Sequence, residues 1–201
     1  MSKLLSYRNT ILVCLLLICD VSFPADWKLE KNKDGIKVYT RSTNGSEILE
    51  FKAICEVSAS RKRVAEVVAR ITDYPNWFPD CAHAQVLKSI SPTKRKIYYE
   101  IDLPWPASNR DVVMVLSVDV DNSKKTTTIN FDHATGGKDK KDGVVRMPSA
   151  KGFWKIVTVG KKSKVTYQFL ADPGGSLPTW IINMFIVDGP YDTFVALKKK
   201  V

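Results

Sequence analysis

The chain has 201 residues, a length that favours a single domain, and its composition is that of an ordinary globular protein, 44% hydrophobic and 26% charged. These values exclude a disordered tail, a collagen-like repeat and a polytopic membrane protein. Lysine and arginine number 31 against 21 acidic residues, a formal net charge of +10, which points to a polyanionic partner such as an acidic membrane or nucleic acid. Only four cysteines and two histidines are present, so a disulfide framework and a histidine-rich metal site are both disfavoured.

The first 25 residues have the character of an export signal. Lys3 and Arg8 form a short positive segment, and residues 11–19 are an apolar run. This run has the length of a signal-peptide core, whereas a bilayer-spanning helix needs about 20 apolar residues. We therefore expect residues 1–25 to be a signal peptide and the protein to reach the periplasm or cell envelope. A buried strand, an uncleaved anchor and a lipidated Cys19 are the alternatives.

Five later segments have apolar residues at every second position, the pattern of a strand with one buried face. These segments are 49–57, 97–103, 112–120, 129–131 and 165–171. Turn sequences such as Asp34-Gly35 and Asp142-Gly143 lie between strands. Connections this short favour hairpins and therefore an antiparallel sheet.

Two segments change to a helical period. Ser60 can cap a helix with valines at 64, 67 and 68 and an isoleucine at 71. Ser176 is a plausible cap for a second helix, which Gly189-Pro190 should kink or split. The first half of this second helix is apolar nearly all round apart from Asn183. Such a helix must be covered on all sides, and the concave face of the sheet is the obvious cover.

No catalytic motif is evident in the sequence. His83 and His133 are candidate general bases, but a hydrogen-bonded interior histidine is the commoner role for His133. Cys81 and His83 lack a third group that would orient the base. We expect no catalytic residue, no metal and no cofactor. Cys55 and Cys81 can form a disulfide in an exported protein or remain two buried thiols.

Arg110 lies two residues before the first apolar position of the strand at 112–120. Because side chains of a strand alternate between two faces, the Arg110 side chain should point inward with the apolar ones. A buried arginine must be hydrogen-bonded and paired. Two roles are open. One is an internal salt bridge with Asp172, Asp102 or a glutamate, and the other is an anchor for a ligand head group in an otherwise apolar space.

Lysines cluster at 124–125, 138–141, 161–164 and 198–200. Solvated hairpin tips are the ordinary explanation, and docking on an anionic membrane surface is the functional alternative. Nucleic acid is a weaker candidate partner, because the aromatic residues lie on strand faces and are not interleaved with the basic residues.

Several segments together resemble the START domain, the steroidogenic-acute-regulatory-related lipid-transfer family. They stand in family order at 34–41 (DGIKVYTR), 73–78 (DYPNWF), 98–111 (with LPWP and NRD), 152–154 (GFW) and 172–180 (DPGGSLPTW). The resemblance spans residues 27–201 and is that of a minimal exported bacterial type without a long N-terminal helix. It implies an α+β helix-grip fold over residues 26–201, in which a curved antiparallel sheet wraps a C-terminal helix around an internal apolar cavity.

The resemblance further implies non-catalytic binding or transfer of a lipid or other hydrophobic ligand by a monomer. It is compatible with transient contact with an anionic membrane surface. The alternative is an enzyme of the polyketide cyclase or dehydratase kind on the same fold, with His133 or an interior acid as base, and a third option is a protein that acts only through its surface. Strand parity and helix phase predict which residues face the cavity. They are Phe51, Tyr99, Arg110, Met114, Phe131, Trp154, Tyr167, Trp180, Asn183 and Met184.

Overall fold

The alternating segments pair into one sheet of ten strands in a computed structural model, which describes residues 26–43 and 46–201. The strands are β1 Lys28–Lys33, β2 Ile36–Thr43, β3 Ser46–Val57, β4 Cys81–Ser91, β5 Lys94–Ile101, β6 Asn109–Asp121, β7 Thr126–His133, β8 Val144–Arg146, β9 Ser149–Val159 and β10 Lys162–Asp172. The signal peptide assigned to residues 1–25 lies outside the described residues and stays a prediction.

The sheet is antiparallel and runs in the order β1-β2-β3-β10-β9-β7-β6-β5-β4. β8 is off this path and pairs in parallel with β6, with Val145 opposite Arg110. The centre of the sheet joins β3 to β10, where Phe51 faces Phe169. With a helix packed on its concave face, this curved sheet is the helix-grip fold that the sequence predicts.

The first helix, α1 Arg61–Ala69, begins where the sequence predicts. The Ser60 hydroxyl accepts a hydrogen bond of 3.2 Å from the Arg63 backbone N–H, the ordinary N-cap contact. The buried side chains of α1, at positions 64, 67 and 68, all belong to the core. Ile71 lies beyond the helix, at the start of a 3-10 turn that spans Ile71–Asn76.

The C-terminal helical segment changes its hydrogen-bonding pattern but does not break. It comprises α2 Thr179–Asn183, a π turn Met184–Asp188 and α3 Gly189–Lys200. Pro190 has no N–H, and its ring would clash with the carbonyl of Ile186 in a regular α-helix. The Gly189 N–H instead bonds to the Met184 carbonyl, five residues back. Ser176 is not the cap, because α2 begins at Thr179 after Pro178, without a side-chain cap.

The core lies between the concave face of the sheet and the helices α1 and α3. Trp154 stacks on Tyr167 at 4.1 Å and meets Phe194 of α3 edge-on at 5.6 Å between ring centroids. Gly152 is needed beside this cluster, because a Cβ there would collide with the Phe169 ring and the Gln168 carbonyl. This close approach explains the glycine in the GFW segment.

Cys55 and Cys81 are both free thiols, so the structure has the two-thiol arrangement. Cys55 is buried and Cys81 is half-buried. Burial raises the pKa of each thiol to about 12, which makes both poor nucleophiles near neutral pH. Across residues 26–43 and 46–201, no helix has the length and apolar character needed to cross a membrane.

Candidate functional site

A cavity of about 350 Å³ lies between the concave face of the sheet and the C-terminal helical segment. Aromatic and aliphatic side chains from β3, β5, β6, β7, β9 and β10 form its walls, and the π turn with Pro190 covers it. Eight of the ten residues predicted to face the cavity line it. They are Phe51, Tyr99, Arg110, Met114, Phe131, Trp154, Tyr167 and Met184.

Trp180 and Asn183 correct the prediction, because both are exposed and neither lines the cavity. The prediction assumed one helical phase from 180 to 195. The π turn inserts extra residues into that phase, so the residues before it are rotated relative to α3. Ile181 is instead fully buried, and Ile182 lines the cavity.

Two groups of cavity residues were not among the predicted site residues. Phe185 and Ile186 of the π turn form part of the roof, and only the position of Pro190 hints at their orientation. Tyr74 and Phe78 come from the aromatic segment after α1 and stack at 4.7 Å between ring centroids. The DYPNWF segment holds both residues, so the sequence could have indicated them.

Arg110 is the most unusual residue of the cavity wall. Only 3% of it is exposed, and it forms no ion pair among the described residues. Its Nε donates to the Pro173 carbonyl at 3.0 Å and its Nη2 to the Gly174 carbonyl at 3.1 Å, while Nη1 donates to the Ser108 carbonyl. Burial lowers the pKa of Arg110. Three of its five N–H groups are thus satisfied by backbone, and its charge has no counter-ion in the described chain.

Two aspartates also line the cavity at the same end. The Asp172 carboxylate accepts a hydrogen bond of 2.8 Å from the Gly174 N–H, which fixes the loop that binds Arg110. Burial raises the pKa of Asp80, and the neighbouring carboxylates of Asp192 and Asp102 act in the same direction. This end of the cavity is therefore polar, whereas the walls are aromatic and aliphatic.

The loop 102–108 forms one rim of the cavity. At its start the Asp102 N–H donates to the Asp80 carbonyl at 2.8 Å, and at its end Ser108 is bound by Arg110. Both partners line the cavity. Between these two ties Trp105 is 90% exposed. Trp180, 52% exposed, lies next to the cavity-lining segment of α2, so two large exposed apolar side chains lie near this end of the cavity.

Neither histidine of the chain lines the cavity. His133 is half-buried in β7, opposite Met114, and His83 is exposed in β4 with its ring 6.0 Å from that of Tyr98. The general base considered for an enzyme is therefore not supplied by His133. In the described part of the chain, the acids at the cavity are Asp80 and Asp172.

A second polar group, the outer polar cluster, lies outside the cavity and consists of Tyr98, Glu100, Asp111, Lys141 and Arg146. Asp111 is bound by Arg146 through Nε and through Nη2, the latter at 3.0 Å. The Tyr98 hydroxyl lies 3.0 Å from both carboxylates, and burial, followed by these hydrogen bonds, raises its pKa. The cluster ties β8 to β5 and β6. The internal salt bridge considered for Arg110, with Asp172, Asp102 or a glutamate, is not formed among the described residues; the buried ion pair here joins Arg146 to Asp111.

Comparison with known proteins gives a consistent match. Residues 20–199 match the model of the START domain. The chain is 34% identical to the STAR-related lipid transfer protein of Xanthomonas axonopodis, whose crystal structure superimposes with a TM-score of 0.78 over 86% of this chain and 97% of that one. It is 28% identical to the phosphatidylcholine transfer protein of Mus musculus, over 82% of this chain and 78% of the relative.

A more distant structure has the same fold. It is an aromatase/cyclase from Streptomyces, 13% identical, which superimposes with a TM-score of 0.51 over 75% of this chain and 92% of that one. Identity this low indicates shared architecture and carries no statement about chemistry.

Proposed function

The chain belongs to the START domain family, and on that premise we propose that it binds one lipid in its internal cavity and transfers it without chemical change. The relatives named as lipid transfer proteins support this assignment. The apolar walls would supply most of the affinity, at about 25 cal/mol for each Å² of ligand surface removed from water. The polar end of the cavity would select the head group.

The single observation that carries the proposal is Arg110. A buried guanidinium without a carboxylate partner is costly, and a site built in this way is completed by an anion. Phosphate and carboxylate are the groups that arginine binds best, because its planar fork matches their oxygen atoms. A lipid with a phosphate or carboxylate head group therefore fits this cavity, and the name of the Mus musculus relative makes a phospholipid the first candidate.

The size of the cavity limits which lipids fit without rearrangement of the protein. Its volume of about 350 Å³ is near the lower end of the range of roughly 300–1,000 Å³ for small-molecule sites. A single-chain lipid fits this range without rearrangement. A two-chain phospholipid would require the π turn or the loop 102–108 to move outward.

The first experiment is native mass spectrometry of the purified protein, followed by organic extraction and identification of any bound lipid. We expect one lipid with an acidic or phosphate head group per chain. A protein that is free of lipid as isolated and takes up none from phosphatidylglycerol vesicles would overturn the proposal.

Substitution of Arg110 tests the anchor. We expect Arg110→Met to lower the affinity for a phosphate-headed lipid about tenfold or more, because a hydrogen bond to a charged group contributes about 1.5–3 kcal/mol. Arg110→Lys keeps the charge and should retain part of the binding. The control is Arg70→Met, which removes an exposed arginine outside the cavity. Circular dichroism checks folding, and equal binding by Arg110→Met and the control would contradict the anchor role.

No observation favours a cyclase or dehydratase activity over lipid binding. That alternative rests on the shared fold, and the cavity residues described above include no histidine. Of the two acids at the cavity, Asp80 is the better candidate base for such an activity, because Asp172 already accepts a hydrogen bond from the Gly174 N–H. If Asp80→Asn leaves lipid occupancy unchanged, this carboxylate is dispensable for the carrier role.

A further inference from the structure

The basic residues of the chain are concentrated at one end of the sheet. The strand registers bring five segments to this end: Lys94 faces Ser91, Thr126 faces Asp121, Lys162 faces Val159, Ile36 faces Cys55, and Ser163 faces Val57 just before α1. The end of α3 joins them, because Lys198 Nζ donates to the Asp34 carbonyl at 2.8 Å. We call this surface the basic end. Its segments are 33–37, 60–63, 91–95, 121–126, 159–164 and 198–200.

The charge of the basic end is strongly one-sided. These segments hold fifteen of the 31 lysines and arginines of the chain and two acids, Asp34 and Asp121. Three acids just outside them, Glu56, Glu66 and Asp73, pair with Lys162, Lys62 and Lys200, and the surface still has ten more positive than negative charges. Many of the lysine side chains are exposed at turns. Clustered positive charge of this kind attracts a polyanionic surface.

Exposed aliphatic side chains accompany the charge. Ile90, Val120 and Val159 are each about half exposed, and each directly adjoins or begins one of the basic turns. A solvated charged face has no need of such residues. Cations beside exposed aliphatic groups are the combination that binds the interface of an anionic bilayer.

The cavity mouth lies at the opposite end of the strands and has a different charge. The segments around it, 78–81, 101–109, 172–178 and 182–192, hold five aspartates and no lysine or arginine. The eleven residues of β10 separate the two ends by about 33 Å. This is several times the screening length of roughly 8–10 Å in physiological salt, so charges at the mouth contribute little to attraction at the basic end.

We propose that the basic end docks on an anionic phospholipid bilayer and that the docked protein holds its cavity mouth away from that bilayer. The mouth, with Trp105 exposed beside it, is then presented to a second membrane. The inference goes beyond the binding of a lipid in the cavity and does not depend on it.

The test is co-sedimentation of the purified protein with vesicles of phosphatidylcholine containing 30% phosphatidylglycerol, and with vesicles of phosphatidylcholine alone. One variant replaces Lys94, Lys125, Lys161 and Lys164 of the basic end with glutamine. The matched control replaces Lys28, Lys138, Lys140 and Lys151, which are equally exposed and lie outside the basic end. Both variants lose four positive charges.

We expect tight binding to the anionic vesicles only. The basic-end variant should bind at least tenfold more weakly than the native protein, and the control at most threefold more weakly. Equal losses would overturn the proposal, because net charge and not the basic end would then govern binding. A larger loss in the control, equal binding to neutral vesicles, or no vesicle binding at all, as for a surface that recognises an acidic protein, would each overturn it too.

The lipid content of both variants, measured by native mass spectrometry, separates this proposal from the proposed function. If the protein carries lipid but does not bind the vesicles, the result contradicts the docking role of the basic end and leaves the proposed lipid binding intact. If the protein binds the vesicles but carries no lipid, the result contradicts the proposed lipid binding in the cavity and leaves the docking role of the basic end intact.

Discussion

Residue by residue, the outer polar cluster holds the largest concentration of buried charge in the described chain. Asp111 is fully buried and depends on Arg146, while Glu100 depends on Tyr98, Asn109 and the exposed Lys141. Removing one partner of a buried ion pair costs about 3–5 kcal/mol, because the other charge is left unpaired. The cluster therefore fixes the outer side of β5, β6 and β8 and leaves Arg110 alone on the cavity side.

The pH dependence of stability should reflect Glu100. Burial raises its pKa, but hydrogen bonds from Lys141, Tyr98 and Asn109 outweigh burial and lower the pKa overall. A carboxylate with a lowered folded-state pKa stabilises the fold above its unfolded-state pKa, and this stabilisation is lost as the pH falls through the folded-state value. We expect Glu100→Gln to lower the free energy of unfolding at pH 7 and to have steadily less effect below a pH of about 4.5.

Urea denaturation at a series of pH values measures this difference. The control is Glu56→Gln, since Glu56 is exposed and its nearest cation, Lys162, is 3.9 Å away. A gap between the native protein and Glu100→Gln that is as large at acid pH as at neutral pH would contradict the assignment.

Among the elements, the C-terminal helical segment determines which side chains cover the cavity. The π turn accommodates Pro190 and places Met184, Phe185 and Ile186 in the roof. A proline that served only to end a helix would not be followed by ten further residues of α3. The roof therefore has a less regular hydrogen-bonding pattern than the helix after it, and under the proposed function it is the part of the cover best suited to open.

Pro190→Ala tests this role. Alanine restores an N–H and removes the ring clash, so a regular α-helical bond to the Ile186 carbonyl becomes available. We expect amide exchange in residues 184–190 to slow by roughly 2- to 12-fold, corresponding to about 0.5–1.5 kcal/mol for one hydrogen bond, and lipid exchange to slow with it. Pro178→Ala, at the exposed start of α2, is the matched control and should change neither rate. Unchanged exchange in Pro190→Ala would show that packing alone maintains the π turn.

The elements also show why some features follow from sequence and others do not. Strands β3, β5, β6, β7 and β10 were predicted because one face of each is buried and the alternation is clean. β4 has three register shifts along its pairing with β5, which disrupt the alternation. In β9 the inward positions include Ala150 and Gly152, residues too small to appear as an apolar face.

The site residues divide in the same way: those on regular strands follow from the sequence, and those on the helix or in loops do not. Parity along regular strands placed Phe51, Met114 and Arg110 correctly at the cavity wall, because each side chain of a strand takes one of two faces. Helix phase failed at Trp180 and Asn183, because the phase depends on hydrogen bonds that Pro190 changes downstream. The partners of Arg110 could not be predicted either, since the carbonyls of Pro173 and Gly174 belong to a loop that carries no periodicity.

At the scale of the whole molecule, the proposed lipid transfer would require the mouth to meet a membrane, and the exposed Trp105 is a candidate for that contact. An indole ring prefers the interface between lipid and water. We expect Trp105→Ser to slow transfer of a fluorescent phospholipid between vesicles about tenfold, as expected for the loss of roughly 1.5 kcal/mol of apolar burial. The amount of lipid bound at equilibrium should not change.

The matched control is Leu29→Ser, which removes an exposed apolar side chain from the edge strand β1, away from the cavity lining. Equal slowing in both variants would mean that general hydrophobicity governs transfer and not the rim of the cavity.

The strand order also has a consequence for synthesis of the protein. β3 pairs with β10 although more than a hundred residues separate Phe51 from Phe169, and pairings this distant form late because a long loop must first close. Whether the chain emerges from the ribosome or from an export channel, its N-terminus comes first, so β1 to β3 must wait for β10, and α3 follows later still. In that interval the concave face has no roof, so a hydrophobic molecule can settle on the strands before the helix covers it. The newly made chain can thus acquire its first cargo without any gate having to open.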